Sequence, residues 1–150
     1  MSPEKTEQLY SAFPGLYRGK DKIPQESLMY QGFECDDGWF DLIWKLSAGI
    51  ESAARIEGLD PDGDGWPEAT QVKQKFGALR FYIRNASDEI RTLIGEAVEA
   101  SEKICEICGA PGSRDINNRR NVKTVCADHA LDSPRQSEHS SMPVWKLLKD

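Results

Sequence analysis

Histidine is scarce in this chain: His129 and His139 are the only two among 150 residues. A nucleolytic centre of the His-Asn-His type relies on imidazoles for proton transfer, so with His129 committed to structure only His139 would be left for chemistry. Cysteine is nearly as sparse, with four residues, two of them in a Cys-x-x-Cys pair. In a reducing compartment that usage favours metal binding over disulfides. Long apolar runs are missing, and none approaches the ~20 residues needed to cross a bilayer. A basic start followed by an apolar stretch is missing too, since Met1 to Tyr10 is polar and acidic through Glu4 and Glu7, so it does not read as a signal peptide. The expectation is one soluble domain, or one domain with a small appendage, in the cytoplasm and away from membranes.

Positive charge is short in the first half. Residues 1 to 70 hold 6 Lys/Arg against 14 Asp/Glu, whereas residues 71 to 150 hold 13 against 11. A net charge of -6 argues against indiscriminate binding to DNA, whose phosphates the first half would repel. Local binding through the second half stays open.

What is present reads as alternating helix and strand signals. Leu9, Tyr10, Phe13, Leu16 and Tyr17 suit one helical face before the Pro14-Gly15 turn. Phe40, Ile43, Trp44, Leu46, Ile50 and Ala54 form a helical stripe with Asp37 as N-cap, running to Ile56. Gly58 stops that helix, and Asp60 to Pro67 should be an exposed loop. Gln71 to Arg84 alternates apolar and polar residues about Gly77, giving two strands or one bulged strand. Asn85 or Ser87 caps a third helix from Asp88 to Lys103, which delivers the chain into Cys105. Residues 133 to 141 read as a loose tail, and Val144 to Leu148 as a short amphipathic end. The fold class expected is α+β: helices on a small antiparallel sheet over residues 1–103, a zinc ribbon or knuckle appendage at 104–132, and the tail at 133–150.

The strongest chemical signal is Cys105-Glu-Ile-Cys108-Gly109 followed by Cys126-Ala-Asp-His129, with seventeen residues between Cys108 and Cys126. Two residues between ligands let a tight turn aim both at one ion, and Gly109 lets the knuckle curl towards the sulfurs. Three thiolates and one imidazole complete a tetrahedral site for structural Zn2+. A thioredoxin-like pair would need a strand before it and a helix after it; here a helix precedes and Gly-Ala-Pro-Gly follows. A catalytic zinc keeps a position open, and a zinc deaminase would place Pro, not Ile104, before the first cysteine. Cys35, the odd cysteine, reads as a buried or half-buried thiol, with a ligand role as the lesser alternative.

Three weaker candidates stand beside bland readings. Asp60, Asp62, Asp64 and Glu68 fall at positions 1, 3, 5 and 9 of a Ca2+ loop, with Gly65 at 6, but Gln71 replaces the bidentate Glu at 12; an exposed acidic turn is the preferred reading and calcium the lesser one. Arg114, Arg119, Arg120 and Lys123 could contact nucleic acid or form a solvated face, and no aromatic is interleaved with them. Lys73, Lys75, Arg80 and Arg84 read as a solvated strand face able to extend that basic surface. Glu34, Asp36, Asp37 and Asp41 crowd beside Trp39 and Phe40, as a surface for a basic protein partner or as ordinary helix-start chemistry.

Gly38-Trp39-Phe40-Asp41-Leu42-Ile43, Val72 to Tyr82 with its Lys-x-Lys-Phe-Gly-x-Leu-Arg-Phe-Tyr run, Cys105 to Gly112 and Cys126 to His129 resemble small proteins of phages, prophages and bacterial genomes. The resemblance covers roughly residues 30 to 130. It implies a mobile-element protein that manipulates or evades host machinery in the host cytoplasm, and implies no catalytic residue. The leading expectation is a non-enzymatic protein acting through protein–protein contact, as an inhibitor of a host nucleic-acid or defence complex. The runner-up is a nucleic-acid-binding regulator.

Overall fold

The computed structural model describes residues 1–130; the tail expected at 133–150, with His139, lies outside the described residues. Helix α1 (Pro3–Ala12) begins beneath Ser2, whose hydroxyl accepts from the Lys5 amide at 3.3 Å, with Pro3 at the first position where a missing N–H costs nothing. It buries Leu9. The chain then passes through short 3-10 turns to strand β1 (Phe33–Glu34).

Helix α2 (Phe40–Ile56) ends at the expected residue but starts differently. Asp37 does not cap it: a 3-10 turn over Asp37–Trp39 leads in, Trp39 holds the cap position, and the Asp37 carboxylate accepts from the Ser2 amide at 2.8 Å. The inward face carries Ile43, Leu46, Ile50, Ala53 and Ala54.

Strands β2 (Glu68–Lys75) and β3 (Ala78–Arg84) form the expected antiparallel pair. The joining turn, Phe76-Gly77, has φ of 55° and 82°; two left-handed residues define the tight hairpin turn that suits strand twist. The bulge falls between Ala69 and Gln71, not at Gly77. Strand β1 adds to β2 in parallel, making a mixed sheet in the order β1-β2-β3. Val72, Leu79 and Phe81 point into the core. Helix α3 (Asp88–Ser101), capped by Ser87, packs on α2 and β3, and the Ser101 hydroxyl accepts from the Leu79 amide at 2.9 Å.

The loop before β2 corrects one expectation. Asp60 to Gly65 is largely exposed, but Trp66 and Pro67 are buried. The indole fills the space beside Gly15, where a Cβ would come within 2.9 Å of the ring, and the Arg55 guanidinium lies 5.6 Å from its centre. Arg18 fastens the loop by donating to the carbonyls of Gly15, Trp66 and Pro67. Burial of a large aromatic outweighs the turn chemistry around it.

After α3 come strands β4 (Ser113–Arg114) and β5 (Thr124–Val125), paired antiparallel, and helix α4 (Ala127–Ala130). No described helix is long and apolar enough to cross a membrane.

Candidate metal centre

Helix α3 ends at Ser101, two residues short of the expected Lys103, and the chain runs on through Ile104, which bridges to Pro111 and so sets the first knuckle. The Cys105 amide donates to the Ala110 carbonyl at 2.7 Å and the Gly109 amide to the Cys105 carbonyl at 2.9 Å. Gly109 sits at φ 85°, a conformation that a side chain would strain. Gly112 crosses β5 so closely that a Cβ would lie 2.8 Å from the Val125 backbone. Strand β5 then delivers Cys126, and the single turn of α4 returns His129 towards it.

The result is one group: the ligand atoms of Cys105, Cys108, Cys126 and His129 all lie within 4.8 Å of one another, an arrangement that could hold a metal ion. His129 presents Nδ1, 3.5 Å from the Cys105 sulfur and 3.2 Å from that of Cys126; the sulfurs of Cys108 and Cys126 are 3.7 Å apart. All four cysteines are free thiols. Burial pushes the Cys105 thiol up, but the amides of Cys108, Cys126 and Ile107 aimed at its sulfur prevail and bring it down to about 7. Cys35 is buried apart from this group, and burial with the nearby Glu106 charge pushes it up to about 12.

The module is docked on the core through contacts that the word appendage does not convey. Gly38 donates to the Glu106 carbonyl at 2.7 Å, and the Trp39 indole to the Ile104 carbonyl at 2.9 Å. The Thr124 hydroxyl donates to the Gly77 carbonyl at 2.6 Å. Glu106, between two ligands in sequence, is buried; one carboxylate oxygen accepts from the Asp36 amide at 3.0 Å and the other has no partner. Burial raises this carboxyl, partly offset by Lys123.

The other candidates separate. Glu68 is turned inward on β2, 2.9 Å from Lys22, 3.5 Å from Arg18 and 3.9 Å from Arg84. It is therefore not gathered with Asp60, Asp62 and Asp64, and the Asp60 carboxylate instead accepts from the Asp62 amide; the calcium-loop reading loses its ninth-position ligand to a buried ion cluster. Among the described residues only the Cys/His group is assembled in this way. Of the basic set, Arg114 pairs with Glu102 at 3.4 Å and Lys123 with Asp36 at 2.6 Å, leaving Arg119 and Arg120 exposed. Burial pulls Lys123 down, but Asp36 and Glu106 prevail and hold it above its ordinary range. The acidic set is likewise divided: Asp36 and Asp37 are bound internally, Glu34 accepts from Gln71 at 3.2 Å, and Asp41 is exposed. Trp39 is fully buried, so it offers no partner surface.

Gly38 and Glu106, the two residues that seat the knuckle, were not singled out by sequence reasoning. The signal was the adjacency of each to a motif, Gly38 to Trp39 and Glu106 to Cys105. Comparison with protein-family models, curated proteins and solved structures gives no match.

Proposed function

We propose that this chain is a non-enzymatic interaction protein stapled by one structural zinc ion, acting by contact on a nucleic-acid-handling complex of the host cell. The donor set supports zinc. A tetrahedral ion with Zn–S of about 2.3 Å and Zn–N of about 2.0 Å places two sulfurs roughly 3.8 Å apart, and a sulfur and a nitrogen roughly 3.5 Å apart. The spacings of 3.7, 3.5 and 3.2 Å lie close to those values. Four protein donors close the coordination sphere, whereas a catalytic zinc keeps a position for water. That closed donor set is the observation that carries the non-enzymatic reading, and the mobile-element context comes from the sequence resemblance.

Contact with a protein through the acidic segment was one route to such a role. It draws less support now that Asp36 and Asp37 are spent on internal bonds. The nucleic-acid route gains support, because Lys73, Lys75 and Arg80 have no acidic partner within 4.0 Å among the described residues.

Metal analysis of the purified chain tests the zinc, with one equivalent per chain expected. Hydrolase and nuclease assays with and without zinc test the rest. A zinc-dependent turnover would overturn the reading, as would a chain that folds identically after complete chelation.

A further inference from the structure

Among the described residues, no element fills the space around Tyr82 on the outer face of the β2–β3 hairpin. Register puts Gln71 opposite Tyr82 and Lys73 opposite Arg80, and the inward turn of Val72, Leu79 and Phe81 leaves those pairs facing outward; Lys75 is exposed beside the turn, opposite the buried Ala78. Two aromatic side chains are exposed on this hairpin, Tyr82 at 45% and Phe76 at 62%. Each lies beneath a cation: the Lys73 ammonium is 5.9 Å from the Tyr82 ring centre, and that of Lys75 is 5.7 Å from the Phe76 ring. The interleaving of aromatics with basic residues that the Arg119-Arg120 turn lacks is found here.

Tyr82 also stands between two clefts. One, of about 330 Å³, lies between the ring and residues 24–28. The other, of about 530 Å³, runs along the free edge of β3 against Arg91 and Ile94 of α3. Strand β3 ends the sheet, and among the described residues nothing pairs with that edge. Acidic groups near this face include Glu26, exposed on the wall of the first cleft, Glu34, which holds Gln71, and Glu68, which is buried among its own cations.

Phe76 adds an argument from conformation. It occupies the first left-handed position of the turn, where Asn, Asp or Gly is favoured and a bulky side chain is strained. A large apolar ring held there and left exposed contributes nothing to the core. Strain of this kind concentrates where a residue serves a ligand.

We propose that this face binds single-stranded nucleic acid, with bases stacking on Tyr82 and Phe76 and the phosphates tracked by Lys73, Lys75 and Arg80. Flat aromatic faces beside mobile cations fit unpaired bases strung on phosphates, because every base has a face to stack and every linkage a charge. A duplex hides its base faces and offers only the phosphates. This inference names the partner within the function proposed above and rests on that reading.

The test uses the full zinc-loaded chain and labelled twelve-nucleotide dT and U oligomers, with binding followed by fluorescence anisotropy across a salt titration. Binding is expected at low salt, falling as salt rises, with a duplex of the same length weaker. Tyr82→Ala is expected to weaken binding by about tenfold or more, and Tyr82→Phe to keep it. Lys73→Glu with Arg80→Glu is expected to abolish it, and because both residues lie on the surface this pair serves if the alanine variant fails to fold. The dT and U arms tell a DNA site from an RNA site. No binding to either oligomer, equal binding by Tyr82→Ala, or loss only on changing Arg119 and Arg120 would overturn the proposal, as would equal displacement by polyglutamate. Oligomer that is bound and also cleaved would refute the non-enzymatic reading and leave this surface standing; oligomer neither bound nor cleaved would refute the surface alone.

Discussion

The Gly38 amide donates to the Glu106 carbonyl at 2.7 Å across the seam between the first knuckle and the start of α2. A Cβ at position 38 would lie 2.3 Å from the Cys105 carbonyl oxygen and 2.5 Å from that of Glu106. Both obstacles are backbone and cannot swing aside. Gly38→Ala is therefore expected to push the knuckle off the core, at a cost of about 1–3 kcal/mol or more. Urea denaturation of the zinc-loaded chain measures that cost, and competition with a chromogenic chelator should show weaker zinc retention. Wild-type values in both measurements would mean the seam is not a structural joint.

Metal removal follows from the same seam. Because Trp39 hydrogen-bonds Ile104 just before the first ligand, losing the ion should disturb the core and not the knuckles alone. Structural zinc contributes an apparent ~10–16 kcal/mol that is coupled to folding. Chelation is expected to red-shift tryptophan emission and lower the melting temperature, and Cys126→Ser should do the same without chelator. A chain whose emission is unmoved while zinc is lost would show the module to be an independent appendage.

How far the sequence reaches is visible in these residues. The four residues of the Cys/His group were legible because two-residue spacings are local, and a local turn suffices to converge each pair. The docking of their module was not legible, since it depends on Gly38 meeting Glu106 across nearly half the length of the chain. Trp66 sat in a run of Gly, Pro and Asp that signals an exposed loop, and only the empty space at Gly15 explains its burial. The acidic cluster at Glu34 to Asp41 looked like a surface because sequence shows charges and hides their partners, Lys123 and the Ser2 amide. Strand β1, two residues long, carries too little pattern to be seen.

Glu68 offers a test of the calcium loop. Its buried carboxylate holds Lys22, Arg18 and Arg84, so Glu68→Gln should cost about 1–3 kcal/mol, the partial exposure of the three cations keeping it below a fully buried pair. Millimolar calcium should change neither the melting temperature nor the emission of Trp66 in the wild-type chain. A saturable calcium response that Asp62→Asn removes would restore the loop as a site.

Cys35 should be the last thiol to react. With its pKa at about 12, about one molecule in ten thousand is thiolate at pH 8, and the thiolate is the nucleophile. Timed alkylation with mass mapping is expected to leave all four cysteines unmodified with zinc bound, and to label Cys105, Cys108 and Cys126 before Cys35 after chelation. Because the folded pKa lies above the ordinary value of 9.0, the unfolded chain loses this proton first. The contribution is thus full below about pH 9 and is lost as pH rises towards 12. A Cys35→Ala chain should lose less stability between those limits than the wild type.

Phe76 separates stability from binding. At φ 55° it sits where an aromatic is strained, so Phe76→Asn should fit the turn better and raise stability by about 0.5–1 kcal/mol. If the ring is kept for stacking, the same change should weaken oligomer binding by about tenfold while the zinc content stays at one. The opposed signs make the result diagnostic. A residue held for folding would lose stability when replaced, and one held for neither purpose would gain stability at no cost in affinity. Only a ligand-contacting ring predicts a more stable chain that binds less well, and thermal melts beside anisotropy titrations of the one variant decide among the three.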